Sequence, residues 1–189
     1  MVLPQPLISA GTSARSPYIK SESFRILTSL YHVSVGKTKG DNNKVIITPE
    51  LQKSAPSLVN AVITALQDEG LKKVKHTRSV LDAGKEVTAF ANKWVQVKVE
   101  TDLQSGPGLL WEALGNLEKH LEALDKTDVS QAVKMVSMAL VRNISEGHEA
   151  WKSLESIKTK KVITKGATGS SPKSANKKKK NKKNKRKSS

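Results

Sequence analysis

The last thirty or so residues carry the feature that most limits what this chain can fold into. From Lys158 to the end stand 14 lysines and arginines and no acid, and the run Lys177, Lys178, Lys179, Lys180, Lys182, Lys183, Lys185, Arg186 and Lys187 is broken only by Asn181 and Asn184. Gly166, Gly169, Ser170, Ser171 and Pro172 lead into it. Such a segment buries too little apolar surface to offset the entropy of ordering it. Residues 159–189 are therefore expected to be a disordered tail, and the folding body is nearer 140 residues than 189.

The net charge of +16 divides accordingly. Residues 1–157 hold 19 basic and all 17 acidic residues, so the body is almost neutral and the tail is the electrostatic element. Lysine gains by displacing counterions condensed on a polyanion and needs no fixed geometry to do so. With no aromatic ring and one arginine, the tail would read base sequence poorly. The expected contacts are Lys173, Lys177 to Lys180, Lys182, Lys183, Lys185, Arg186 and Lys187, touching nucleic acid, RNA in preference to DNA. The same run has the composition of a nuclear localisation signal, so an import receptor is a second expected partner.

Cysteine is absent, which excludes disulfide scaffolds, zinc knuckles and thiol nucleophiles. His32, His76, His120 and His148 stand in no metal-ligand spacing, and no serine lies in a nucleophile elbow. Gly36, Lys37 and Thr38 suggest a phosphate loop, but Tyr31 occupies the position that needs the first glycine. The expectation is a non-enzyme without cofactor or metal. Pro4 and Pro6 interrupt the apolar N-terminus, and no run approaches the 18 apolar residues of a membrane span. An intracellular protein is expected, nuclear or nucleolar if the tail acts as an address, otherwise cytoplasmic or within a nucleoprotein particle.

Within the body the pattern predicts an α+β fold. Residues 1–22, with four prolines and glycines, read as an irregular arm. Alternating apolar residues at 24–28, 31–35, 44–48, 71–75, 86–91 and 94–100 read as short strands of a mixed β unit over 23–101. One helix interrupts it, capped by Ser54 and ending at Gly70. After Pro107 the period changes: Leu110, Leu114, Leu117, Leu121 and Leu124, then Val129, Val133, Val136 and Leu140, predict an antiparallel helical hairpin over 108–158. Asp128 with Gln131 reads as its second capping pair, and Trp94, Trp111 and Trp151 as core anchors. Lys72, Lys73, Lys75 and Arg78 form the body's best candidate nucleic-acid face, read as one side of a strand.

These readings converge on a non-catalytic RNA-binding accessory protein whose body sets location or assembly. The alternative is a self-associating subunit of a nucleoprotein particle, such as a viral capsid or nucleocapsid protein, with a genome-neutralising arm.

Overall fold

The computed structural model describes residues 4–35, 47–68, 74–101, 107–125 and 129–166. They fold into six helices: α1 Pro4–Ser13, α2 Pro17–Ser34, α3 Pro49–Leu66, α4 Val74–Thr101, α5 Gly108–Asp125 and α6 Gln131–Gly166. No strand occurs among the described residues, so the expected α+β fold is corrected to an all-helical one. Two compact units are present, Met1–Ser153 and Leu154–Ser189. The first holds α1 to α5 and most of α6, and the described part of the second is the rest of α6.

The strand readings at 24–28 and 31–35 fail because the alternation was apolar without being buried. Phe24, Leu27, Tyr31 and Val35 are buried, a spacing of three and four, while Ile26 and Val33 remain about half exposed. That is the stripe of a helix. The stretches 86–91 and 94–100 fall inside α4, where Trp94 and Val95 are both buried, as adjacent residues of a one-faced strand could not be. Of the readings at 44–48 and 71–75, residues 44–46 and 71–73 lie outside the described residues, Ile47 and Thr48 are non-helical, and Val74 and Lys75 open α4.

The described part of the arm expected at 1–22, from residue 4 on, is helical too, apart from the break at 14–16. Pro4 stands first in α1 and Pro17 first in α2, where the missing N–H costs nothing and the fixed φ is already helical. Gly11 lets α1 lie on the Phe24 ring, since a Cβ there would stand 3.1 Å from it. Thr48, not Ser54, caps α3: its hydroxyl accepts from the Leu51 N–H, Pro49 follows, and Ser54 sits one turn inside with its hydroxyl donating to the Glu50 carbonyl. Gly70 lies outside the described residues, and α3 stops at Leu66. Asp128 also lies outside them, and at the start of α6 the Ser130 hydroxyl accepts from the Val133 N–H. Residues 159–166, counted with the tail in the sequence reading, continue α6, and 167–189 lie outside the described residues.

In the first unit, α5 and α6 run antiparallel. Trp111 meets α6 at Gly147 and His148, while Glu118, seven residues on, accepts from the Ser145 hydroxyl. Leu110, Leu114, Leu117 and Leu121 of α5 are all fully buried. Each such leucine stabilises the fold by about 1.5–3 kcal/mol as an upper estimate. Across α2, α3 and α4 the core is aromatic. Tyr31 meets Phe90 edge-on at 5.1 Å, Phe90 meets Trp94 at 6.0 Å, and the Tyr31 hydroxyl donates to the Leu51 carbonyl at 3.2 Å and shares a hydrogen bond with Ser54.

Burial pushes the Tyr31 phenol up to about 12. An acid whose folded pKa lies above its unfolded value of about 10 leaves stability unchanged below pH 10 and loses it as pH climbs from 10 to 12. Tyr31→Phe should cost about 1 kcal/mol at pH 7 through the lost hydrogen bonds. In urea unfolding, the difference between the two proteins should then reverse towards pH 12, because the parent alone loses a further 2–3 kcal/mol or so. A constant difference from pH 7 to 12 would show that Tyr31 does not ionise on unfolding.

Candidate nucleic-acid interface

Of the basic cluster read from the sequence, Lys75 and Arg78 are described, and both are exposed on the first turns of α4. Lys72 and Lys73 lie outside the described residues, as do Lys173, Lys177, Lys178, Lys179, Lys180, Lys182, Lys183, Lys185, Arg186 and Lys187. The two-residue register that was to align Lys73 with Lys75 on a strand does not hold at Lys75, which is helical. On a helix it is Lys75 and Arg78, three residues apart, that share a side.

The helix is fixed there from beneath. Ser79 is buried, with its hydroxyl bonded to that of Ser21 on α2 at 3.2 Å, and Val80 and Leu81 are fully buried behind it. His76, between the two cations, is half-buried, and its Nδ1 is enclosed without a hydrogen bond. Arg78 also borders a cavity of about 30 Å³ with Leu81 of α4 and Ala132, Val133 and Val136 of α6.

This contact gives the relative direction of α4 and α6. Arg78 borders residues 132–136, Gly84 faces Leu140, and Asn92 faces Gly147, so the two helices run parallel and begin at the same end. Neither carries an acid in its first turn. Two helix N-termini, each with partial positive charge, therefore lie near Lys75 and Arg78. Neither cation has an ion-pair partner among the described residues, although half-buried Asp82 stands one turn beyond Arg78. Three other cations of the unit are neutralised: Lys20 pairs with Asp68, Arg25 with Glu22, and Arg142 with Glu146.

One buried carboxyl group was not legible in the sequence. Glu86, 7% exposed, lies 3.3 Å from Nδ1 of His32 on α2, a pair that joins two segments read as separate strands. No group of three potential metal ligands gathers among the described residues, and no described helix is long and apolar enough to cross a membrane.

Two cations can contact about two phosphates, against ten in the tail beyond residue 172. In a chain ended after Gly166, replacing Lys75 and Arg78 by glutamine should lower the slope of log affinity against log salt for a single-stranded RNA by about 1.4. Residual affinity at 50 mM salt should fall about tenfold. Unchanged slope and affinity would show that this end of α4 is an ordinary solvated helix start. No family model, curated protein or solved structure matches this chain.

Proposed function

We propose that this chain is a non-catalytic RNA-binding accessory protein, in which the lysine-rich tail makes sequence-independent phosphate contacts and the helical body sets location or assembly. The observation that carries this reading is the partition of charge. Fourteen cations and no acid follow residue 157, while the body has 19 basic against 17 acidic residues. A body that itself gripped a polyanion over a broad face would carry excess charge on that face. Among the described cations outside the start of α4, three are spent on ion pairs. Affinity then comes from counterion release at the tail. The same residues suit an import receptor, and if the tail acts as such a signal the protein works in the nucleus or nucleolus, otherwise in the cytoplasm or within a nucleoprotein particle.

One observation favours the second reading, a self-associating subunit of a nucleoprotein particle. Ile19, Ile26 and Val33 repeat every seven residues on α2, each about half exposed. A heptad of exposed apolar residues is the pattern of a helix that meets another helix. Sedimentation at several protein and salt concentrations separates the readings: an accessory protein stays monomeric or dimeric, and a particle subunit forms large closed assemblies.

Deleting residues 173–189 removes ten of the fourteen tail cations. The salt slope for single-stranded RNA should flatten by up to about 7, and affinity at low salt should fall by orders of magnitude. Thermal unfolding should be unchanged, because no buried residue of the described core is removed. A scrambled tail of the same composition should bind like the parent. If the truncated protein kept both affinity and slope, the tail would be an address only, and RNA binding would have to lie in the body.

A further inference from the structure

Between α4 and α6, within the first unit, lies a cleft of about 500 Å³ whose polar lining is Lys85, Thr88, Asn92 and Gln96 on α4 and Asn143 and Glu146 on α6. The volume is within the range of ligand sites, but the walls are unlike an apolar pocket. Three carboxamides face it, and none makes a side-chain hydrogen bond among the described residues. Asn92 is half-buried, with its Oδ1 so close to the backbone of Gly147 that a Cβ there would stand 2.4 Å away. Ala89, Gly147 and Ala150, too short to fill the space, form the floor between the rows.

Thr88, Asn92 and Gln96 are four residues apart and so form a row along one face of α4. Four residues of helix rise about 6 Å, close to the roughly 6.6 Å that two residues of an extended chain span. The Thr88 hydroxyl is engaged by the Gly84 carbonyl at 2.8 Å, which leaves the two carboxamides of the row and Asn143 opposite them. A carboxamide carries the same donor and acceptor as a peptide group and can satisfy both partners of a main-chain amide. From Lys85 to Gln96 the cleft follows about 16 Å of helix, the length of about five extended residues.

Charge decides against a nucleic-acid strand in this cleft. Each nucleotide brings a phosphate, but among the described residues the lining offers one cation, Lys85, and sets the Glu146 carboxylate on the opposite wall, held by Arg142 at 2.8 Å. No aromatic ring lines it to stack a base. We infer that the α4–α6 cleft binds an extended peptide segment of a partner protein, about five residues long, gripped through its uncharged main chain by Asn92, Gln96 and Asn143. Alternate side chains, small or medium and apolar, point down onto Ala89, Val95 and Ala150. This site is separate from the phosphate contacts proposed for the tail, and neither depends on the other.

The test uses the full-length ¹⁵N-labelled chain and an array of hexapeptides with acetylated N-termini and amidated C-termini. The side-chain NH₂ signals of Asn92, Gln96 and Asn143 are assigned with single variants. Peptides selected on the array should shift these three signals on titration. N-methylation of alternate peptide amides should weaken binding at least tenfold, since it removes the donors while leaving the side chains. Gln96→Ala and Asn143→Ala, both at exposed positions, should each weaken binding about tenfold with unchanged thermal unfolding. The proposal is overturned if no hexapeptide moves the carboxamide signals, if N-methylation makes no difference, or if a six-nucleotide uridine oligomer moves them and the peptides do not.

Discussion

Gly84 is the point through which the first unit is packed. A side chain there would meet Leu140 of α6 at 3.2 Å and Leu117 of α5 and Val62 of α3 at 3.6 Å, so three helices close on α4 over one missing Cβ. Close-packed interiors have little room to absorb a larger group at such a crossing. On its other side α4 reaches α2 through the Phe90 ring edge-on to Tyr31 and through the paired hydroxyls of Ser21 and Ser79. With α4 held in this way, its first turns, carrying Lys75 and Arg78, sit beside the start of α6. Two turns beyond Gly84, Asn92 and Gln96 lie along the same helix. Both surfaces to which a role is given are thus consequences of where α4 is fixed.

The separation of charge from core follows from what each needs. Burying a lysine without a partner is costly, and a helical unit with few aromatic residues depends on its leucines and valines packing closely. Cations meant for a polyanion are most effective where no fold constrains them, because counterion release rewards charge density and asks nothing of geometry. The unit could then spend its described surface on other contacts. The described lining of its carboxamide-rich cleft carries one cation against one anion, and its exposed α2 stripe is apolar, which suits recognition of protein and not of phosphate.

Helices whose apolar residues keep to the 3.6-residue period could be read from sequence, and those that also carry β-branched residues on their exposed face could not. The spacing of Leu110, Leu114, Leu117 and Leu121 has no strand equivalent, and all four are buried on α5. In α2 and α4, by contrast, Ile26, Val33 and the valines at 95, 97 and 99 imitate the alternation of a strand. Packing overrides their modest helix propensity, because Phe24, Leu27 and Tyr31 supply a helical stripe that the exposed Ile26 and Val33 obscured. Prolines misled at the N-terminus: Pro4 and Pro17 begin helices, and a proline at the first helical position is indistinguishable by composition from one in a loop. The site suffered the same error. In the strand reading Asn92 falls between two strands and Gln96 within the second, so nothing relates them; on a helix they are successive rungs, and only the facing helix shows that they border a cleft.

The central claim is that the tail supplies most of the phosphate affinity, with the body adding no more than the two contacts at the start of α4. Fusing residues 158–189 to the C-terminus of an unrelated, neutral, monomeric carrier protein tests it directly, by titration with a fluorescent single-stranded RNA from 50 to 300 mM salt. If the tail supplies most of the affinity, the fusion binds within about tenfold of the full chain at every salt concentration, and its slope of log affinity against log salt is shallower by no more than about 1.4. A fusion that binds more than about a hundredfold more weakly, or whose slope is shallower by several units, would place a substantial part of the RNA contact on the helical unit and contradict the division of labour proposed for this protein.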